Sequence, residues 1–240
     1  MPFAKLAYFV TNTITTVDKK SMLNWSEINT VLLDMDGTLL DLHFDNHFWL
    51  EHTPKAYAQK HGMPLAKAKK QLKQQNDAVH GQLEWYCLDY WQKELDLPIV
   101  ALKREIKHLI QLREDTLPFL DALRAAGKRV VLVTNAHPDS LSLKVEMTQL
   151  DQHIDELISC HQFGQSKESQ LLWQQLQAHL KFDNEHTLFV DDSERILKAA
   201  QVFGIQHLLA VANPDSKKPA SDVPGFHNVT DYRTLIEHIQ

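Results

Sequence analysis

Short apolar runs recur along the chain and break off at polar or turn-forming residues. Five of them read as strands: Thr30–Asp34, Arg129–Thr134, Glu156–Cys160, Thr187–Asp191 and His207–Val211. Runs this short and this apolar suit strands covered on both faces. The segments between the later runs carry a helical period. Asp115-Thr116 with Pro118 opens one helix, which runs to Ala126 and stops at Gly127. Ser140–Leu150, Glu168–Leu180 and Ser193–Phe203 are further helices, the last closed by Gly204. Strands alternating with helices of this length predict an α/β fold, a parallel sheet with helices on both faces.

The first strand has a different sequel. From Asp41 to about Leu112 there is no good strand pattern. Helical segments take its place at Asn46–His61, Leu65–Val79, Leu83–Leu95 and Ile99–Ile110, punctuated by Gly62-Met63-Pro64, His80-Gly81 and Pro98. An all-helical insert of about 70 residues predicts a second, smaller domain above the C-terminal edge of the sheet. The expected division is a core of residues 22–40 and 113–240 and a helical cap of residues 41–112. Residues 1–21 have little period. Lys5 followed by Leu6–Val10 faintly resembles a signal peptide, but the apolar run is short and gives way to a polar stretch from Thr11 to Thr16. The segment reads as a flexible extension or the product of a mis-chosen start codon.

Composition narrows the classes. The 240 residues, 43% hydrophobic and 23% charged, suit one α/β domain or a core with an inserted one. A net charge of −6 without a long basic run argues against a nucleic-acid partner. No apolar stretch approaches the ~20 residues of a membrane span. Cys87 and Cys160 lie far apart and form no CxxC pair, so they read as reduced, buried thiols in a cytoplasmic protein.

Chemistry gathers at the strand ends. Asp34-Met35-Asp36-Gly37-Thr38 follows the first run. Burying two carboxylates together is expensive, so they imply a metal, a phosphate reaction, or both. Thr134-Asn135 follows the second strand, Ser166-Lys167 lies in the loop after the third, and Asp191-Asp192-Ser193 ends the fourth. Such a set fits phosphoryl transfer through an aspartyl-phosphate. Asp34 is a weak nucleophile that can attack phosphorus when a cation offsets the repulsion. Asp34, Asp191 and Asp192 could supply a magnesium site. The Thr134 hydroxyl and Lys167 ammonium could hold phosphoryl oxygens, and Asp36 could exchange a proton with the leaving oxygen and the attacking water.

These four ordered motifs resemble those of the haloacid dehalogenase superfamily of phosphatases. The resemblance covers about residues 22–240 and implies a Rossmann-like core with a helical cap. It makes Asp34 the nucleophile, Asp36 the general acid/base, Thr134 and Lys167 the phosphate holders, and Asn135 a further substrate contact. It assigns magnesium to Asp34, the Asp36 main-chain carbonyl, Asp191 and Asp192. The fourth motif departs from the pattern of members that carry Gly-Asp and a later acid: Asp191 replaces the glycine, and Ile196 stands at the later acid position. Asp36 favours phosphatase over dehalogenase, because a halide leaving group needs no acid. Longer strings, including Trp85-Tyr86-Cys87-Leu88-Asp89-Tyr90-Trp91, Leu112-Arg113-Glu114-Asp115-Thr116, Thr134-Asn135-Ala136-His137-Pro138 and Asn213-Pro214-Asp215-Ser216, are similar to the bacterial GMP/IMP nucleotidase branch. That branch implies a small purine 5′-monophosphate substrate; a sugar-phosphate phosphatase or phosphomutase is the alternative on the same fold.

Other residues have blander readings. Trp85, Tyr86, Tyr90 and Trp91 could stack on a purine, but their spacing favours packing between helices. His43, Asp45, Asn46 and His47 read as a solvated loop and helix start, and the His43/His47 pair lacks a third ligand for zinc. Arg113 reads as a hinge or salt-bridge residue rather than a phosphate contact, and Asn213-Pro214-Asp215 as a turn at the edge of the site.

Overall fold

The computed structural model describes residues 23–239. The N-terminal segment read as a flexible extension, residues 1–21, lies outside them. Six strands form one parallel sheet: β1 Thr30–Leu33, β2 Arg129–Thr134, β3 Glu156–Ser159, β4 Thr187–Asp191, β5 His207–Val211 and β6 His227–Val229. Their order is β3-β2-β1-β4-β5-β6. The chain steps outward from β1 to β3, then crosses back to β4 on the other side of β1. Ligands in such sheets bind beyond the strand ends at that switch point.

Between β1 and β2 come α1 His43–His47, α2 Thr53–Lys60, α3 Leu65–Val79, α4 Leu83–Tyr86, α5 Leu88–Leu95, α6 Ile99–Glu105 and α7 Thr116–Ala125. The later helices are α8 Pro138–Thr148, α9 Gln170–Leu180, α10 Glu194–Phe203 and α11 Arg233–Ile236. The sheet is apolar on both faces. Val31, Leu33, Val130, Leu132, Leu188 and Val190 join one cluster with Phe119, Leu120 and Leu123 of α7. That cluster continues without a break into Phe44, Phe48, Leu72, Leu88 and Trp91 of the insert. Leu32, Val131, Val133 and Phe189 face the other way, against α9 and α10.

The two connections of the insert run side by side. Asp41 donates its amide N–H to the Gln111 carbonyl, and Arg113 donates to Leu39. Arg113 is nearly buried, pairs with Asp115 through both Nε and Nη2, and donates to Asn213 and the Thr230 carbonyl. It ties the return strap to the core through an ion pair that is nearly buried rather than on the surface.

Several element boundaries differ from expectation. The helix expected over Asn46–His61 begins at His43 and widens into a π turn at Phe48–His52. Pro54 stands two residues beyond it; it has no N–H to donate and its ring crowds the carbonyl four residues back, so the helix opens there. The helix expected over Leu83–Leu95 breaks at Cys87, which has ψ 113°. The Trp91 indole donates to the Trp85 carbonyl, and the Cys87 sulfur accepts from Tyr90 N–H, so the break is satisfied. The stretch expected as Ile99–Ile110 is helical only to Glu105, followed by a 3-10 turn at Lys107–Leu109. β6, at the sheet edge, has two exposed residues of three and offers no apolar run to read.

Candidate active site

Register builds the centre of the site. Leu33 pairs with Val190, and Asp34 N–H donates to the Val190 carbonyl, so Asp34 and Asp191 emerge side by side from β1 and β4. Lys167, 0% exposed, reaches between them: Nζ is 2.5 Å from Asp34 Oδ1 and 2.7 Å from Asp191 Oδ2. Its backbone is held in place, since Lys167 N–H donates to Asn135 Oδ1 and the Lys167 carbonyl accepts from the Trp173 indole. Asn135 uses its other end to donate to Glu168. Both ends of its amide therefore orient the lysine loop, a positioning task that accompanies its place on the cavity wall. Thr134 is buried at the end of β2, its Oγ1 accepting from Ala136 N–H.

Gly37 makes the turn that brings Asp36 over this centre. Its φ is +86°, and an added Cβ would lie 2.7 Å from Asp192 Oδ2 and 2.9 Å from Pro214 Cβ. Only glycine lets the two loops approach so closely. Asp36 is then met by Lys144 of α8, whose Nζ lies 2.6 Å from Asp36 Oδ1 and 2.6 Å from Asp45 Oδ2. Lys103 of α6 pairs with the other Asp45 oxygen at 2.7 Å and sits over the Phe44 and Phe48 rings. Both lysines are 2% exposed. Asp45 is thus no solvated helix start, as the sequence suggested, but the link between the insert and Asp36. His43, expected in the same solvated loop, is 28% exposed and approaches Asp215 at 3.8 Å. Neither lysine was found from sequence, because a helical lysine is ordinarily solvated.

The charges are strongly perturbed. Burial pushes Asp34 up to about 6, with Lys167 pulling the other way and Asp191 adding repulsion. Burial also lifts Asp36 to about 6 against the pull of Lys144, with Asp45 and Asp34 adding repulsion. Asp192 rises well above the carboxylate range, through burial and then the charges of Asp191 and Asp34. Burial opposes the charge on Lys167, but Asp191 and Asp34 outweigh it and hold the ammonium firmly protonated. Asp34, Asp191 and Asp192 thus crowd three carboxylates around one lysine. A hard divalent cation fits that all-oxygen donor set, and it would relieve the repulsion on Asp192.

A cavity of about 1280 Å³ opens above these residues, its far walls formed by the insert. Trp49, Trp85 and Tyr86 line it, while Trp91 is buried in the core cluster and Tyr90 packs beside it. Of the aromatic residues expected to pack between helices, Trp85 and Tyr86 therefore also face the cavity. Tyr86 donates to Glu168, which Arg195 also contacts, tying α4 to the core beyond the lysine loop. The Asn213-Pro214-Asp215 turn braces two residues of the cavity wall from behind: the Pro214 carbonyl accepts from Leu42 N–H, and Asp215 accepts from Asn46.

Comparison with known proteins agrees with this architecture. The chain is 48% identical over 212 residues to the GMP/IMP nucleotidase YrfG of Escherichia coli (strain K12), covering 88% of this chain and 96% of that one. The nucleotidase of the same name from Shigella flexneri matches equally. Among solved structures, a HAD phosphatase from Thermococcus onnurineus superposes with a TM-score of 0.72 at 20% identity, covering 88% of this chain and 97% of that one. An L-2-haloacid dehalogenase from Xanthobacter autotrophicus gives 0.60 at 17% identity, covering 88% and 97%. Residues 28–204 match the family described as haloacid dehalogenase-like hydrolase, and the chain belongs to that family of enzymes.

Proposed function

We propose that this protein is a magnesium-dependent phosphatase that hydrolyses purine nucleoside 5′-monophosphates, GMP and IMP, through an aspartyl-phosphate on Asp34. The observation that carries the chemistry is Asp34 held between Lys167 and the Asp191 side of the sheet, at the floor of a cavity roofed by the insert. With its pKa near 6, Asp34 is ionised at neutral pH and can act as the nucleophile. A carboxylate oxygen attacks phosphorus as the bond to the 5′-oxygen breaks. Asp36, also near 6, reacts in the minority form that still carries its proton at neutral pH: it gives that proton to the 5′-oxygen and later takes one from the water that attacks the aspartyl-phosphate. Phosphate leaves and Asp34 is regenerated. Lys167 and Thr134 hold the phosphoryl oxygens. Asp34, Asp191, Asp192 and the Asp36 carbonyl would hold Mg2+, which when bound neutralises phosphate charge.

Asp36 separates this reading from haloacid dehalogenation, since an alkoxide needs a proton and a halide does not. The purine comes from the nucleotidase relatives, and Trp49, Trp85 and Tyr86 offer it aromatic faces. Residues 41–112 act as the cap, choosing the leaving group and excluding water. Free Cys87 and Cys160 support a cytoplasmic setting. Phosphate release measured across nucleotides and sugar phosphates tests the substrate: GMP and IMP should be fastest. A faster sugar phosphate beside poor GMP and IMP turnover would overturn the purine while leaving the Asp34 chemistry in place.

A further inference from the structure

A second set of metal-ligating side chains converges where the insert meets the core. Cys87 occupies the break between α4 and α5, His137 precedes α8 just after Thr134-Asn135, and His161 lies in the turn after β3. A donor atom from each of the three lies within 4.8 Å of the others. Asp89, in the first turn of α5, brings a carboxylate oxygen to 3.5 Å from His137 Nε2. One sulfur, two imidazoles and a carboxylate make a donor set suited to tetrahedral zinc rather than to magnesium.

His161 supplies an independent observation. The ring stands against His137, with centroids 5.1 Å apart. Its Nε2 is buried and has no hydrogen-bond partner among the described residues. Burial, then the neighbouring His137, keeps its pKa below the usual histidine value, which favours the neutral ring that a metal needs. His137 has a carboxylate near its other nitrogen. Its Nδ1 accepts from Asp139 N–H, and the Asp139 carboxylate lies 3.8 Å from the same nitrogen. Ligation through Nε2 would put the ring proton on Nδ1, so the bond from Asp139 N–H must break and the proton turn to the Asp139 carboxylate.

We propose that Cys87, His137 and His161, with Asp89 as fourth ligand, form a zinc site that staples the insert to the core. Binding releases the Cys87 thiol proton to solvent and leaves a thiolate on the metal. Because His137 also lines the substrate cavity, an occupied site ties α5 to the loop after β2 and opposes opening of the insert. The site does not depend on the identity of the substrate. Cys160 is no competitor, because burial pushes its thiol up to about 12.

The full chain, held in saturating Mg2+ and titrated with Co2+ as a coloured stand-in for Zn2+, tests the site. A thiolate-to-cobalt charge-transfer band should appear with stoichiometric metal and be displaced by Zn2+. Cys87→Ser should abolish the band. His161→Ala should weaken binding by at least about 100-fold, the upper end of what outer-shell changes cost. Cys160→Ser and Asp192→Asn should both keep the band, and Zn2+ should raise the melting temperature of wild type but not of Cys87→Ser. A cobalt spectrum without a thiolate band, a band that survives Cys87→Ser, or one lost with Cys160→Ser overturns the proposal.

Discussion

Lys144→Met tests the buried charge chain above the catalytic floor. Methionine keeps much of the lysine's length and volume but removes its charge. Asp36 then loses its ion-pair partner at 2.6 Å, while Asp45 keeps Lys103 at 2.7 Å. Removing one member of a buried pair costs about 3–5 kcal/mol, because the other charge stays buried. For a chain of this size each kcal/mol lowers the melting temperature by about 2–4 °C, so the expected loss is roughly 6–20 °C near pH 7. The pH dependence has a definite sign. Asp36 already sits near 6, above its unfolded value of 3.8, so its stabilising contribution is present below 3.8 and is lost as pH rises through about 6. Without the Lys144 attraction its folded pKa rises further. The deficit against wild type is therefore largest above that higher value and shrinks as the pH falls toward about 5, where Asp36 takes a proton and needs no counter-charge. Thermal melts of both proteins at the two pH values measure it. Turnover should fall mainly in kcat, because Asp36 loses its aim while phosphate binding stays with Lys167. A melting temperature within about 2 °C of wild type at neutral pH, or a deficit that ignores pH, would refute the reasoning.

Asp34→Asn should eliminate phosphate release while leaving the fold intact, as read by circular dichroism; unchanged release would reject Asp34 as nucleophile. Chelation of Mg2+ should stop turnover, and added Mg2+ should restore it. Asp34, raised to about 6, contributes metal-free stability that is present below its unfolded 3.8 and lost as pH rises through about 6. Added Mg2+ should accordingly lift the melting temperature more at about pH 8 than at about pH 5 by calorimetry, since it binds the deprotonated carboxylates. Gly37→Ala meets both a φ of +86° and a Cβ 2.7 Å from Asp192 Oδ2. Backbone strain of about 1–3 kcal/mol and displacement of Asp192 should lower both the melting temperature and the Mg2+ affinity, and a titration that matches wild type would count against the proposed ligand role of Asp192.

Much of the core was legible because its signals are local. Val31-Leu32-Leu33 and Val130–Val133 are apolar on both faces, and a strand buried on both faces needs that composition. Asp34, Thr134, Lys167 and Asp191 each stand at the end of a strand or in its loop, so their gathering at one sheet edge results once the strands pair in parallel. Boundaries were less legible. The widening before Pro54 and the break at Cys87 depend on which carbonyls find partners elsewhere, such as the Trp85 carbonyl beneath the Trp91 indole.

The sequence alone determined the strand pattern, the helical insert and the polar residues at the strand ends, because each is written in neighbouring positions. Only the tertiary structure decided what surrounds Asp36. Lys144 and Lys103 look in sequence like two solvated helical lysines, and Asp45 like an exposed helix start. Packing α6 and α8 against α1 buries both lysines and half-buries Asp45 in one chain of ion pairs. Cys87, His137 and His161 likewise lie too far apart in sequence to form a spacing pattern, and they meet only where the insert closes on the core. A charge or a lone pair acquires its partner from whatever the fold brings beside it, and that information is non-local.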